Sequence, residues 1–178
     1  MRDALLDLLP RVGYSGVAIE RVARHAGVGK PAIYRRWKSK AEMVFALVFH
    51  DVDLPQRPDS GSLEGDFALV VRDLMFGWAS PIPHLTLPGL IGDLAGDPDL
   101  VSRFAETFNA RERELLGELL ERAVRRGELR SVPDPAEIHM MLIGPVFIWL
   151  FCYGRLPSLE AADRFARGTA AAAVAMSA

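Results

Sequence analysis

The sequence predicts an all-α protein: an N-terminal three-helix unit over residues 1–53 that holds a helix-turn-helix, followed by a larger helical body over residues 54–178. Three observations predict it. Apolar residues recur at helical spacing along most of the chain, and no stretch sustains the period-two alternation of a strand. Helix-start and helix-stop signals stand at Ser39, Asp97-Pro98, Gly127, Asp134-Pro135 and Ser158. The segment VAIERVARHAGVGKPAIYRRWKSK (residues 17–40) reads as two short helices joined by a glycine turn.

The opening RDALLDLLPRVGY is a short helix, and Pro10 predicts either an early end or a bent last turn. In the next helix Ile19, Val22, Ala23 and Ala26 form one apolar stripe, while Arg21 and Arg24 fall off it. Val17-Ala18 supplies no hydroxyl cap, which costs about 1 kcal/mol, so this helix is expected to lean on packing. Gly27 tolerates positive φ and ends it, and Val28 is expected to plug the corner. Gly29 serves as N-cap of the second motif helix, and Pro31 fits a first turn whose N–H groups lack intrahelical partners. Ile33 and Trp37 turn inward. Lys30, Pro31, Ala32, Tyr34, Arg35, Arg36 and Lys38 then face outward or flank the helix, a set with four cations and no carboxylate. Ser39-Lys40-Ala41-Glu42 is a capping box that opens a third helix running through Met43 and Leu47 to about Asp53.

DLPQRPDSGS (residues 53–62) is rich in Pro, Asp and Ser and reads as a linker. Beyond it, Phe67, Val70, Val71, Leu74, Met75 and Trp78 lie at helical spacing. Pro81 and Pro83 are expected to break the chain, and residues 87–94 to form a short apolar helix. Asp97-Pro98 opens a long helix to about Arg126, with Leu100, Phe104, Phe108, Leu115, Leu116, Leu119 and Val124 on its apolar side. Arg122, Arg125 and Arg126 alternate with Glu114, Glu118 and Glu121 and read as a solvated, salt-bridged face. Asp134-Pro135 opens the next helix, which Gly144-Pro145 should kink or split. Ser158 caps a last helix whose small-residue run, residues 168–173, fits either a helix–helix dimer seam or plain helix propensity.

Charge sets residues 17–40 apart. Residues 18–40 carry seven Lys/Arg against Glu20 alone, a net +6; the whole chain is −2, so the remainder holds −8. Every lysine of the protein (Lys30, Lys38, Lys40) falls in this stretch. A mildly acidic protein with one concentrated basic helix is suited to phosphate contact in a DNA major groove. With 178 residues, half of them apolar, the chain has ample material for a real core. One cysteine, Cys152, excludes an internal disulfide framework, and no secretory leader is expected from an N-terminus of mixed charge, so a cytoplasmic setting is expected. The run IHMMLIGPVFIWLFCY (residues 138–153) is shorter than the roughly 20 residues of a bilayer span and reads as a buried or dimer-forming helix, with no membrane partner.

Gly13-Tyr14, Val22-Ala23, Ala26-Gly27-Val28, Ile33-Tyr34, Trp37 and Lys40 together resemble the signature of the tetracycline-repressor (TetR) family of transcriptional regulators. The resemblance covers about the N-terminal quarter and departs from the family at Val17-Ala18, where a Ser or Thr is usual. It implies double-stranded DNA as a partner, with Tyr34 and Lys40 on phosphates and Lys30, Pro31, Ala32, Arg35 and Arg36 at base edges or nearby phosphates. It also implies a homodimer, formed here through the last two helices, and an apolar effector cavity in the body. Met75, Trp78, Phe104, Phe108, Arg111, Met140 and Phe147 are the candidate pocket residues, with His84, Asn109 and His139 as further polar groups to orient a ligand. The implied protein is a ligand-responsive regulator, a repressor by family habit, released from a palindromic operator by an apolar small molecule.

Catalysis finds no support. The four histidines (His25, His50, His84, His139) are scattered, no HExxH or Cys/His cluster exists, and Cys152 sits in the apolar run. Gly27-Val28-Gly29-Lys30 lacks the first glycine and the Ser/Thr of a phosphate loop. No cofactor or metal is expected. The bare Val17-Ala18 keeps one alternative open: a TetR-like helical ligand carrier or scaffold with weakened or lost DNA binding.

Overall fold

In the computed structural model, residues 1–50, 58–107 and 109–178 are described, with the side chains of residues 50, 107, 109 and 111 left aside. Among the described residues all regular structure is helical. In chain order the helices are α1 (Arg2–Gly16), α2 (Ile19–His25), α3 (Lys30–Arg36), α4 (Lys40–Phe45), α5 (Leu63–Ala79), α6 (Pro81–Ala95), α7 (Pro98–Thr107), α8 (Asn109–Arg125), α9 (Pro135–Phe147) and α10 (Leu159–Met176). Both α4 and α9 continue into a wider, π-helical turn, at Ala46–His50 and Ile148–Cys152.

The chain forms two compact units. One gathers Met1–Asp53 with Ser80–Glu106, the other Leu54–Ala79 with Thr107–Ala178. Residues 80–106 therefore pack with the N-terminal helices, although they lie past the boundary expected at residue 53.

In the first unit, Leu5, Leu9, Val22, Ile33, Met43, Val44 and Leu90 are almost wholly buried. Pro10 sits within α1, and the bend falls three residues later, at Gly13, whose φ of 64° breaks the helical path. That is the bent last turn expected from sequence, placed where a glycine relieves the strain. A Schellman turn ends α2: Gly27 stands at φ 66°, with Gly27 N donating to Arg24 O and Val28 N to Ala23 O at 3.0 Å. Val28 does not plug the corner. It is 37% exposed, because the turn is closed by backbone bonds and needs no apolar plug.

One more expectation needs correction here. The break expected at Pro81 and Pro83 falls at Ser80, between α5 and α6, but α6 starts at Pro81 itself with both prolines in its first turn, where N–H groups have no intrahelical partner anyway. The helix is therefore longer than the segment 87–94 expected. The helical stretch from Asp97 to Arg126 is described as two helices, α7 and α8, and Phe108 between them lies outside the described residues. Asp97 caps the first as expected, its Oδ1 accepting from Leu100 N at 3.0 Å.

In the second unit, α5, α8, α9 and α10 close on Phe67, Val71, Met75, Leu120, Ile138 and Leu142. Asp134 and Ser158 cap α9 and α10, accepting from Ala136 N at 2.9 Å and Ala161 N at 3.2 Å. Gly144-Pro145 does not split α9; the distortion is the wider turn from Ile148. Ala161, Ala162, Ala166, Ala170 and Ala173 are buried in this core, and α10 packs extensively on α5. The small residues thus serve close approach within one chain.

The arginines near the end of α8 are the largest surprise of this unit. Among the described residues, only Arg125 of the three makes the expected surface pair, 3.8 Å from Glu121. Arg126 turns inward to Asp66, which is fully buried, at 3.2 Å, and to Glu128 at 2.5 Å. Arg122 lies 3.9 Å from Asp66 and donates to the Pro58 carbonyl. Asp66 also accepts from Ser60 N at 2.6 Å and Ser60 Oγ at 2.9 Å. A solvated face was expected because the Glu/Arg spacing on α8 accounts for the arginines locally; the acceptor that claims two of them stands on α5, about 60 residues earlier in the chain.

Candidate nucleic-acid interface

The helix-turn-helix is built from α2 and α3. Ala18 precedes α2 with no side-chain cap bond, as Val17-Ala18 foretold, and α2 is held by buried Ile19, Val22 and Ala23. Gly29 caps α3 by its extended backbone, and Pro31 lies in the first turn. Ile33 is fully buried and Trp37 is 4% exposed. Those two side chains fix the roll of α3, so Pro31, Tyr34, Arg35 and Arg36 face outward and Ala32 is half-buried. Arg36 stacks over the Trp37 ring, 4.6 Å from its centroid, which holds the guanidinium in a set direction. Arg35 is exposed and has no ion-pair partner among the described residues.

The three lysines behave differently from the arginines. Lys30 is ion-paired with Glu20 of α2 and lies 5.5 Å from the Tyr34 ring centroid. The hydrogen bond from Lys30 holds the Glu20 carboxyl below the usual carboxylate range, and Glu20 in turn raises the lysine. Lys40 sits over the Tyr14 ring at 4.0 Å and 3.5 Å from Asp93 Oδ2 of α6. Lys38 contributes its backbone: its N–H donates to Glu42 Oε2 at 2.6 Å.

The capping box at the start of α4 forms, with Ser39 Oγ accepting from Glu42 N at 3.1 Å. Glu42 reaches back to Lys38 N rather than to the Ser39 amide, and its other oxygen accepts from Arg103 Nε of α7 at 2.6 Å. The corner that follows α3 is thereby tied to two other elements of the same unit. Tyr14 is 5% exposed and donates its hydroxyl to Asp93 Oδ2 at 2.5 Å; burial, then that bond, pushes its phenol well above the usual tyrosine range. Sequence reasoning missed Asp93 altogether, found Glu42 only as the end of the capping box, and found Glu20 only as the single acid in the basic stretch.

The candidate pocket residues that the structure describes stand in different surroundings. Met75 is fully buried in the core of the second unit, where its sulfur accepts from Ser158 N at 3.2 Å, and Trp78 packs at the edge of that core. Phe104 belongs to the first unit and stacks edge-on against Phe45 at 4.8 Å. Phe147 is half-buried and stacks on Phe151 at 5.0 Å, while Met140 is 60% exposed. Phe108 and the side chains of Arg111 and Asn109 lie outside the described residues. His84 is exposed, and His139 is half-buried. Burial, and then the charge of Arg113, hold His139 below the ordinary histidine value. Aromatic and Met side chains have the same sequence signature whether they fill a core or line a cavity, so spacing alone could not tell the two apart. Among the described residues a surface hollow of about 510 Å³ involves one member of the set, lined by Glu137, Met140, Met141 and Met176. Among the described residues no group of three His, Cys, Asp or Glu is placed to hold a metal.

Comparison with known proteins matches both halves of the chain. Residues 2–47 match the family described as "Bacterial regulatory proteins, tetR family", and residues 57–169 match "Tetracyclin repressor-like, C-terminal domain". The DNA-binding transcriptional repressor TetR of Mycobacteroides abscessus is 31% identical over 136 residues, covering 75% of this chain and 71% of the relative. The uncharacterized HTH-type transcriptional regulator YdeS of Bacillus subtilis is 28% identical over 153 residues, covering 85% and 77%. Among solved structures, the TetR family transcription regulator SCO0332 superposes with a TM-score of 0.72 at 25% identity, covering 93% of this chain and 91% of the other.

Proposed function

The chain belongs to the TetR family of transcriptional regulators, and from that membership we propose that it binds a palindromic DNA operator as a homodimer and represses transcription until an apolar small molecule alters its grip. The family is non-enzymatic, and its members pair a helix-turn-helix DNA-binding domain with a C-terminal ligand-binding domain. Residues 1–53 are assigned the first role and 54–178 the second, in the cytoplasm of a bacterium.

The observation that carries the reading is the roll of α3. Buried Ile33 and Trp37 leave Pro31, Tyr34, Arg35 and Arg36 on one outward face at the tip of a basic segment. Arg35 and Arg36 take the base-edge role with Pro31 and Ala32 beside them; Tyr34 and Lys40 take phosphates, and Lys30 flanks the helix. Two such helices, carried by a dimer, would enter successive major grooves about 34 Å apart.

The dimer is assigned to α9 and α10. Residues 135–152 form a continuous apolar helix of mean hydropathy 1.5, long and apolar enough to cross a membrane by length and composition alone. Only 22% of it is buried. Its inner face, Ile138, Leu142 and Val146, belongs to the core, whereas Met140, Met141 and Ile148 are exposed, as is Val174 of α10. A second copy covering that face removes the apolar surface from water, and the hollow beside Met140 supplies shape for it. An effector acts only through its preference for one of two states of the dimer.

A second reading, a ligand-binding scaffold with weakened DNA binding, is favoured by the uncapped Ala18 and by the carboxylates that hold Lys30 and Lys40. A salt titration of binding to random duplex DNA separates the two. Affinity should fall steeply and log-linearly with salt; a flat response overturns the DNA-binding reading.

A further inference from the structure

Lys40 opens α4 at the end of the basic segment, and its ammonium is already occupied. It stands 4.0 Å above the Tyr14 ring and 3.5 Å from Asp93 Oδ2, and that same oxygen accepts the Tyr14 hydroxyl at 2.5 Å. Two backbone features hold the arrangement. The bend at Gly13 redirects the last turn of α1, where Tyr14 is buried. Gly89 lies one turn before Asp93 on the same face of α6, and a Cβ there would run into the Tyr14 ring. All of these residues belong to the first compact unit. Asp93 is still 43% exposed and Lys40 26%, so an anion from solvent can reach both. A phosphate that approaches Lys40 meets a carboxylate of its own sign on the far side of the ammonium.

We propose that Asp93 is an intramolecular competitor for phosphate: a carboxylate outside the helix-turn-helix that holds Lys40 and thereby lowers the affinity for DNA. The inference rests on the DNA-binding reading above. Tyr14 sets the geometry, because its ring supports the ammonium while its hydroxyl fixes the carboxylate. Removing the charge of Asp93 while keeping its acceptor should release Lys40 to DNA without loosening α6.

Asp93→Asn does this, since the amide oxygen still accepts from the Tyr14 hydroxyl. Measured by anisotropy on a random-sequence duplex across a range of salt, Asp93→Asn should bind about fivefold tighter at low salt. Its log–log salt slope should steepen by about one phosphate contact. In a Lys40→Gln background the same substitution should change little, because the two residues are coupled partners. Tyr14→Phe, which keeps both charges and loses only the hydroxyl bond, should tighten binding less than Asp93→Asn. The inference is overturned if Asp93→Asn binds no tighter than wild type, if it tightens equally without Lys40, or if Tyr14→Phe tightens as much. A wild type whose binding ignores salt would remove the DNA-binding reading and this inference together; a salt-sensitive wild type with no gain in Asp93→Asn removes this inference alone.

Discussion

Arg35 and Lys30 both project from α3, yet their charges are not equally available. Arg35 is exposed with no ion-pair partner among the described residues, whereas Lys30 is held by Glu20 across the turn. Arg35→Ala should therefore cost about 1–3 kcal/mol on the best operator and relax base choice at one position of each half-site. Lys30→Ala should cost less, since the Glu20 carboxylate already claims part of that lysine's charge. Competition binding against single-base operator variants measures both, and a uniform loss across all sequences for Arg35→Ala would remove its base-reading role. At this scale the sequence was informative about direction and silent about partners. Spacing alone placed Ile33 and Trp37 inside and Tyr34 outside. It could not place Asp93 beside Lys40, because the bend at Gly13 and the course of α6 decide that meeting.

The ends of elements were the most legible part of the fold, because caps are local chemistry. Ser39, Asp97, Asp134 and Ser158 each accept the backbone bond that their position implied. What stayed hidden were pairings between distant elements, with Asp66 as the clearest case. It is fully buried at the start of α5 and meets Arg126 and Arg122 from the end of α8. Asp66→Ala leaves those arginines without their buried counter-charge and should lower unfolding free energy by about 3 kcal/mol, read from urea denaturation. His139 on α9 yields a second prediction. Burial and Arg113 lower its folded-state value below the ordinary one near 6.5, so the unfolded chain takes up the proton more readily. Stability is then undiminished above that value and declines as pH falls below about 6.5. His139→Gln should flatten the decline in Tm over that range; an equal decline in the variant would exclude His139 as its source.

For the whole molecule, the fold class and the order of helices could be read from periodicity and caps, whereas the grouping of helices could not. Residues 80–106 pack with the N-terminal helices through contacts such as Phe104 on Phe45 and Arg103 on Glu42, which no local pattern announces. The same blindness grouped Phe104 with Met75, which look alike in sequence but fill different cores. The uncovered face of α9 and α10 makes a prediction at this scale: Met140→Glu should leave the fold intact and shift sedimentation equilibrium from dimer toward monomer, because a dimer would have to bury an unpaired charge. A wild type that sediments as a monomer would remove that interface. The central claim is that two copies of α3 read DNA together, and its most direct test is selection of bound duplexes from a random pool by the purified protein, followed by sequencing. The account predicts an enriched palindrome with half-site centres about one helical turn, or a whole number of turns, apart. A pool that stays random after repeated selection would contradict it.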